Sequence, residues 1–223
     1  MKLIEYADSE MMMMDLADTL ASELENTLLT QDSASLAVPG GTTPGPIFDN
    51  LCAAKLDWDR VHVMLTDERW VPETSERSNT RLLRQRLLID QAAKANYVPL
   101  YADAETPEEK LADLQGDLEK QLPISVMLLG MGADMHTASI FPGADQLDAA
   151  LNGDATLVAM RAPGAPEPRI TLSAKVLKGA INRHLVIIGP EKRAALEKSQ
   201  TLTPQEAPVA AILQGTTVHW SET

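Results

Sequence analysis

The residues best suited to chemistry lie between Leu128 and Gly143, in the segment LLGMGADMHTASIFPG. An apolar run stops at Gly130 and Gly132, and an acid and an imidazole, Asp134 and His136, follow within four residues. Glycines allow positive φ angles and let a ligand approach the backbone closely. An unperturbed histidine pKa of about 6.5 suits proton transfer near neutrality. The segment predicts a loop that carries a general acid–base group, although such a histidine is often only structural.

Three further turns follow apolar runs and carry small, hydroxyl or charged residues. They are Pro39–Pro44, with Gly40, Gly41, Thr42 and Thr43; Thr66–Arg69, with Asp67 and Arg69; and Gly189–Lys192, with its terminal lysine. In a parallel sheet, the turns that follow the strands project from one edge, which is where such folds bind ligands. We therefore expect these turns and the His136 loop to form one site.

The Gly40–Thr43 turn precedes a predicted helix and has the composition of an anion site. Backbone N–H groups, two hydroxyls and the positive end of a helix dipole all favour negative charge. The turn lacks the lysine and spacing of a P-loop, and no Gly-x-Gly-x-x-Gly follows the first strands, so a nucleotide is disfavoured. A tight strand–helix turn without a ligand is the alternative interpretation.

Two cations are candidates for binding the same anion. Lys192 lies at a predicted helix start, where a cation is electrostatically unfavourable, and a bound phosphate would offset that cost. Arg169 directly precedes a predicted strand and could supply a second positive charge.

The acidic turn Asp67-Glu68-Arg69 has two interpretations. It is either a surface ion-pair cluster, worth about 0–1 kcal/mol per pair, or a network that holds a sugar hydroxyl or the imidazole.

The four histidines of the chain show no metal-ligand spacing, so we expect no metal. We expect no other cofactor either.

The elements that must position these residues are short apolar strands alternating with helices. Strands are predicted at 2–6, 35–38, 61–65, 124–129, 170–172 and 184–188, with a closing edge strand at 216–220. Helices are predicted at about 9–29, 44–54, 79–90, from 106 onward and 190–199, with Ser78 and a Thr106/Glu109 capping box as start signals. The alternation predicts an α/β fold, with a mostly parallel central sheet covered by helices on both faces.

Composition limits the class of protein. The 223 residues, 44% hydrophobic and 23% charged, suit one globular domain spanning 1–223. A net charge of −13 without a basic stripe argues against nucleic acid as a partner, and no window approaches the roughly 18 apolar residues of a membrane span. A single cysteine, Cys52, and no signal-peptide pattern favour the cytoplasm. We expect a monomer or weak homo-oligomer that acts on a small molecule.

The ordered motifs resemble the glucosamine-6-phosphate isomerase/6-phosphogluconolactonase family over nearly the whole chain. They are PGGTTP (39–44), TDERWVP (66–72), SN (78–79), LGMGADMHTASIFPG (129–143), RITLS (169–173) and GPEKRAAL (189–196). The DER and HTASIFPG phrases resemble the lactonase branch, because the deaminases tend to show Asp-Glu-Tyr and an Asn-Glu-Pro after the histidine. The resemblance implies a Rossmann-like α/β fold with a small antiparallel edge element.

The resemblance also implies a reaction, the metal-independent hydrolysis of 6-phospho-D-glucono-1,5-lactone to 6-phospho-D-gluconate, second step of the oxidative pentose phosphate pathway. His136 would act as general acid/base on water, with Asp134 or Asp67 orienting its ring. The N–H groups of the glycine turns, including Gly130 and Gly132, would meet the oxyanion, with Arg69 as a further partner. The 6-phosphate would be held by Thr42 or Thr43 together with Arg169 and Lys192.

Two other functions stay open at this point. An aldose–ketose isomerase or deaminase acting on a sugar phosphate would use Asp67 as the carbon-acid base and His136 for ring opening. A non-catalytic sugar-phosphate sensor would bind in the same pocket, but it would not need a group that titrates near pH 7.

One position departs from the family pattern. The family usually has Asp-Gly-His where this chain has Asp134-Met135-His136. Because methionine disfavours the φ/ψ values that glycine adopts readily, we expect either ordinary dihedral angles at Met135 or a local difference in the loop.

Overall fold

Ten strands and seven α-helices make up the computed structural model, which describes residues 1–223. The strands are β1 (Lys2–Tyr6), β2 (Ala34–Val38), β3 (Val61–Leu65), β4 (Asp67–Arg69), β5 (Asn96–Val98), β6 (Val126–Gly130), β7 (Leu157–Met160), β8 (Arg169–Leu172), β9 (Asn182–Ile188) and β10 (Thr217–Ser221). The helices are α1 (Ser9–Leu28), α2 (Gly45–Leu51), α3 (Asn79–Arg86), α4 (Leu111–Glu119), α5 (Leu147–Asn152), α6 (Ala174–Gly179) and α7 (Pro190–Ser199).

Seven strands form the central sheet, in the order β1-β10-β9-β6-β2-β3-β5. Every pair is parallel. All five residues of β2 and the first four of β6 are buried, as expected for parallel strands with both faces covered. The predicted α/β fold with a parallel central sheet is confirmed.

Three strands form a separate antiparallel sheet, in the order β4-β8-β7. The pairing places Asp67 opposite Thr171 and Arg69 opposite Arg169. The predicted antiparallel element is therefore present, as a sheet of its own rather than at the edge of the central sheet. Two details of the prediction were wrong. The Asp67–Arg69 segment is a strand instead of a turn, and Arg169 begins β8 instead of preceding it.

Helix α1 shows how the sequence pattern determines packing. Asp8 caps its start by accepting a hydrogen bond from the N–H of Met11 at 2.8 Å. Leu16, Leu20 and Leu24 recur every four residues and are fully buried, because this spacing puts them on one helical face. The methionine run Met11–Met14 divides: Met12 and Met13 are buried, whereas Met11 and Met14 are exposed.

The order in which the chain adds strands to the central sheet reverses between the neighbouring parallel strands β2 and β6. From β2 the chain continues to β3 and β5 on one side, whereas from β6 it continues to β9 and β10 on the other. Loops that leave the carboxyl ends of such a strand pair diverge and leave a crevice, where open α/β sheets bind ligands. The Gly40–Thr43 turn follows β2, and the His136 loop follows β6.

Several predicted boundaries differ from the structure. The predicted edge strand at 216–220 is β10, which lies inside the sheet between β1 and β9, so β1 is the edge. Helices α2 and α3 end several residues early, at Leu51 and Arg86, and the helix from Thr106 begins with a 3-10 turn. Strands β5 and β7 and helices α5 and α6 were not predicted, since they are only three to six residues long.

A continuous cluster of 56 buried hydrophobic residues joins the two sheets and the helices around them. No helix combines the length and the apolar character needed to cross a bilayer.

Candidate active site

A polar cleft of about 260 Å³ opens at the carboxyl ends of β2 and β6. All of the predicted site residues except Asp134 line this cleft. They are Gly40, Gly41, Thr42, Thr43, Asp67, Arg69, Gly130, Gly132, His136, Arg169 and Lys192. The four predicted segments therefore converge as parallel topology requires.

The His136 ring lies directly against Gly132. A Cβ atom added at Gly132 would lie 2.2 Å from Nδ1 of His136 and 2.4 Å from Oδ1 of Asp134. The loop closes on itself, because the Gly132 N–H donates to the His136 carbonyl at 3.0 Å and the Met135 N–H donates to the Gly132 carbonyl at 2.9 Å. Glycine is needed at position 132 because only a residue without a side chain leaves room for the imidazole.

Asp134 determines which nitrogen of His136 is free. Its Oδ1 atom lies 2.5 Å from Nδ1 of the imidazole, and the hydrogen bond to His136 holds the pKa of Asp134 below its usual range. An ionised carboxylate can only accept, so Nδ1 carries the hydrogen and Nε2 of the neutral ring carries the lone pair. Nε2 has no hydrogen-bond partner within the protein. The geometry leaves Nε2 available as a base.

The imidazole is held by stacking as well as by the acid. The Phe141 ring lies 4.1 Å from it, centroid to centroid, at 26° between planes. The guanidinium of Arg169 lies 5.1 Å from the centroid of the same Phe141 ring. Phe141 thus connects the base to one of the cations of the cleft. The His136 side chain keeps 29% of its surface exposed, which leaves it accessible to solvent.

The backbone around His136 is unusual, because two non-glycine residues have positive φ angles. Met135 has φ of 66° and Ala138 has φ of 49°. Of the two expectations for Met135, ordinary dihedral angles are therefore wrong, and the methionine adopts the left-handed conformation itself. Such a conformation costs of order 1 kcal/mol or more for a non-glycine residue. The surrounding contacts, among them the Val209 N–H donated to the Met135 carbonyl at 3.0 Å, hold the loop in place.

The Gly40–Thr43 turn presents donors that nothing in the protein accepts. No N–H group from Gly40 to Thr43 donates to a backbone or side-chain acceptor, and neither threonine hydroxyl has a partner. Gly41 has φ of 87°, a left-handed angle that favours glycine. Groups of this kind along a cleft wall suit an anionic ligand.

The two predicted cations both reach the cleft, in different settings. Lys192 lies in the first turn of α7 and is half-buried, with no acidic partner. Arg169 is 9% exposed, and burial lowers its pKa. Its Nη1 atom donates to Ser139 Oγ at 3.3 Å and lies 3.9 Å from Asp67 Oδ2, whereas its buried Nε has no partner. One wall of the cleft is therefore positive in a protein of net charge −13.

Asp67 lines the cleft but does not contact the imidazole. Its Oδ2 accepts a hydrogen bond from Ser139 Oγ at 2.6 Å, and its Oδ1 accepts from Thr66 Oγ1 at 3.2 Å. Of the two acids considered for orienting His136, only Asp134 is in contact with it. The interpretation of 67–69 as a surface ion-pair cluster was also wrong, because Asp67 is 6% exposed and Glu68 is completely buried.

Asn79 is a cleft residue to which the sequence analysis assigned no role. It is 3% exposed, and its Nδ2 donates to the Asp67 carbonyl at 3.0 Å. A Cβ atom added at Gly40 would lie 1.9 Å from Oδ1 of Asn79, so the two residues pack closely. Its position after the helix-capping Ser78 was the available signal, but the first residue of a helix rarely suggests a binding role.

No three His, Cys, Asp or Glu side chains are arranged to hold a metal ion. The expectation that the protein uses no cofactor stays a prediction.

The comparisons with known proteins agree with this geometry. The family described as glucosamine-6-phosphate isomerases/6-phosphogluconolactonase matches residues 7–220. The chain belongs to this family, and its predicted membership is confirmed.

Individual relatives fall in the lactonase branch. A 6-phosphogluconolactonase of Rhizobium meliloti is 41% identical over 203 residues, which cover 89% of this chain and 88% of the relative. One from Pseudomonas aeruginosa is 41% identical over 211 residues, covering 92% and 88%. The crystal structure of a 6-phosphogluconolactonase from Shewanella baltica superposes with a TM-score of 0.96 at 31% identity, covering 99% of this chain and 97% of that one. These similarities favour the lactonase over the isomerase or deaminase.

Proposed function

We propose that this protein hydrolyses 6-phospho-D-glucono-1,5-lactone to 6-phospho-D-gluconate. The observation that carries the proposal is a single cleft that combines the Asp134–His136 pair, with its free Nε2, and a wall of unpaired donors and cations. The names of the 41% identical relatives support the same reaction. The expected cytoplasmic location and the monomeric or weakly associated state stay predictions.

His136 acts as the general base in this mechanism. Nε2 removes a proton from water as the water oxygen attacks the lactone carbonyl carbon. The imidazolium formed is stabilised by Asp134, and it returns the proton to the ring oxygen as the tetrahedral intermediate opens. Acid–base assistance of this kind contributes typically about 10²–10⁴ in rate. The carbonyl–ring oxygen bond is the only bond of the sugar that breaks.

The developing oxyanion needs donors that are not already used. The Gly132 N–H is engaged with the His136 carbonyl, so it does not fill the role that the sequence analysis gave to the glycine turns. The Met131 N–H, next to Gly130 in the cleft, has no acceptor in the protein. We assign the oxyanion to this N–H group together with Arg69. Losing one preorganised donor of this type costs about 3–4 kcal/mol.

The phosphate is bound by the cationic wall. Lys192 and Arg169 supply the charge, and the free N–H and hydroxyl groups of Thr42 and Thr43 supply directed hydrogen bonds. Binding the remote phosphate fixes the lactone ring relative to the attacking water, which lowers the entropic part of the barrier.

The competing isomerase or deaminase reaction requires a different role for Asp67. It would have to move a proton between C1 and C2 of the sugar. In the structure its carboxylate is instead tied to Ser139 and Thr66, which suits a group that organises the wall.

The test uses purified protein and both classes of substrate in deuterated water. We expect one acid equivalent to be released per lactone consumed, above the spontaneous rate, and no deuterium at carbon. Asp67→Asn is expected to slow hydrolysis without changing the products. Enzyme-dependent deuterium at C1 or C2 of a phosphosugar, abolished by Asp67→Asn, would contradict the proposal in favour of an isomerase. Binding of 6-phosphogluconate without turnover of either substrate class would favour a sensor.

A further inference from the structure

Glu68 is a fully buried carboxylate to which the proposed reaction gives no role. It is 0% exposed, although its neighbours in the chain, Asp67 and Arg69, both line the cleft. Burial raises the pKa of Glu68 above its usual range. A buried charge costs several kcal/mol unless it is well compensated, so the position demands an explanation.

Five donors compensate this carboxylate. Oε1 accepts from the backbone N–H groups of Arg69 and Asn79, both at 2.8 Å. Oε2 accepts from the N–H of Thr80 at 2.7 Å, from its hydroxyl at 2.7 Å and from the hydroxyl of Ser78 at 3.2 Å. One side chain therefore satisfies two N–H groups at the start of α3, which no intrahelical carbonyl can reach.

These bonds connect a strand and a helix that together form one wall of the cleft. Arg69 belongs to β4, whereas Asn79 begins α3. A second link runs the same way, since the Asn79 amide donates to the Asp67 carbonyl at 3.0 Å. Without Glu68, the remaining polar links on this side of the wall would be this bond and the one that Arg69 Nη1 donates to the Arg77 carbonyl, two residues before α3, at 2.8 Å.

We propose that Glu68 is a positioning residue, whose carboxylate fastens the start of α3 to β4 and thereby places Arg69, Asp67 and Asn79 around the reacting lactone. The inference rests on the proposed function for its catalytic consequence. Its structural part, the fastening, does not depend on the reaction.

Glu68→Gln tests the role of the carboxylate at nearly constant volume. A glutamine offers one acceptor oxygen and turns its NH₂ group toward donors, so either the Arg69/Asn79 pair or the Thr80 group loses its acceptor. Because a displacement of about 1 Å can cost about 100-fold in rate, we expect kcat to fall by about 10- to 100-fold. KM is expected to change less than about 3-fold, since the groups assigned to the phosphate lie on β8, on α7 and in the Gly40–Thr43 turn rather than on β4 or α3.

Tyr97→Phe is the matched control. The Tyr97 hydroxyl lies 2.7 Å from Thr80 Oγ1, which is itself hydrogen-bonded to Glu68, so Tyr97 contacts the network without contacting the carboxylate. The variant removes a half-buried polar group from the same region and leaves all five bonds to Glu68 intact. We expect kcat within about twofold of the wild-type value, because the wall keeps its ties.

Double-mutant cycles separate positioning from a loss of stability. If Glu68 acts through the wall, Glu68→Gln should cost at least about threefold more in an Asn79→Ala background than in wild type, because Asn79→Ala removes the parallel side-chain hydrogen bond to the Asp67 carbonyl and keeps the N–H that Glu68 accepts. In a Lys192→Ala background, on α7, the cost should be unchanged. Equal costs in both backgrounds, or a folded Glu68→Gln variant with wild-type kcat, would overturn the proposal.

Amide hydrogen exchange tests the fastening without the reaction. In Glu68→Gln we expect faster exchange at Arg69, Asn79 and Thr80, and unchanged exchange in β9. Unchanged protection at all three amides would contradict the fastening. Wild-type protein that hydrolyses no lactone would contradict the proposed function instead, and the exchange result would then decide the fastening alone. Should Glu68→Gln fail to fold, Thr80→Val removes one donor and carries the same measurements, with an expected kcat loss of about three- to tenfold.

Discussion

Two histidine environments in this protein differ in almost every physical respect. His136 lies in a loop next to a residue with positive φ, keeps 29% of its side chain exposed, and has one ring nitrogen free. His184 and His219 lie on the regular neighbouring strands β9 and β10 and are 5% and 1% exposed. All the ring nitrogens of that buried pair are engaged.

The buried pair belongs to a continuous hydrogen-bonded chain beneath α1. His184 Nε2 lies 2.9 Å from Glu23, and its Nδ1 lies 2.9 Å from Nε2 of His219. His219 Nδ1 lies 2.9 Å from the Tyr6 hydroxyl, which donates to Asp15 at 2.6 Å. Burial, followed by the neighbouring His184, lowers the pKa of His219 to about 4. This series of hydrogen bonds links α1 to the strands at one edge of the central sheet.

The comparison shows what distinguishes a reactive histidine from a structural one. A base needs one nitrogen fixed by an acid and the other left free at a cleft. A histidine with both nitrogens bonded inside the protein has no lone pair to offer a substrate. We therefore expect changes at His136 to affect turnover and changes at His219 to affect stability.

The largest expected effect is on turnover at the free imidazole. His136→Asn keeps a polar group but cannot take up a proton, so we expect kcat to fall by about 10²–10⁴. The affinity for 6-phosphogluconate should stay within a few-fold of wild type, and the free energy of unfolding within about 1 kcal/mol, because the pair with Asp134 is half-exposed. Rates are measured above spontaneous hydrolysis. A variant with near wild-type kcat would remove His136 from the mechanism.

The next effect is on stability at the buried pair. The folded pKa of His219, about 4, lies below the ordinary value of 6.5, so the unfolded chain takes up the proton first. Stability is therefore unaffected by this group above about pH 6.5 and declines as the pH falls toward 4. We expect a loss of about 1.6 kcal/mol between pH 6.5 and 5, measured by urea unfolding.

Two variants isolate that slope. His219→Asn should unfold with a shallower dependence on pH than wild type while keeping kcat at neutral pH within about twofold. His62→Asn, at a histidine without a hydrogen-bond partner, should keep the wild-type dependence. Parallel stability curves for wild type and His219→Asn would show that the pair is not the acid-sensitive element.

An effect of similar size is expected at the cationic wall, and it is specific to phosphate. Lys192→Ala and Arg169→Ala should each weaken binding by about 1.5–3 kcal/mol, the range for hydrogen bonds to charged groups. Lys198→Ala, on the same helix but away from the cleft, is the matched control and should bind like wild type. Both cleft variants should discriminate less against unphosphorylated glucono-1,5-lactone. Undiminished discrimination would place the phosphate elsewhere.

Local chemistry made much of the site predictable from the sequence. Gly132, Asp134 and His136 lie within five residues, and the convergence of the turns follows from parallel topology alone. The strand state of Asp67–Arg69 was not predictable in this way. Three consecutive charged residues show no strand pattern. They form a strand only because they pair with β8, about a hundred residues later.

The partners of the site residues were also beyond local pattern. Asp67 meets Ser139 across 72 positions of sequence, and the position of β10 inside the sheet depends on its packing between β1 and β9. The acid–base pair Asp134 and His136 was predictable from the sequence because its members lie two residues apart in the chain. The sequence left the choice between Asp134 and Asp67 open because that choice is a matter of tertiary distance.

The smallest expected effect concerns the backbone that separates the two histidine environments. Met135, next to His136, has φ of 66°, whereas His184 and His219 lie on regular strands. Met135→Gly would relieve about 1 kcal/mol of backbone strain. It would also give the unfolded chain more conformational freedom, which costs a similar amount. In addition, it would remove a half-buried side chain that packs on the core. We expect the free energy of unfolding to change by less than about 1 kcal/mol and kcat by less than about threefold. Met135→Val provides the contrast, since a β-branched residue tolerates this conformation poorly, and should destabilise the protein by about 1–3 kcal/mol. Equal stabilities of the glycine and valine variants would mean that the left-handed conformation at position 135 does not determine the stability of the loop.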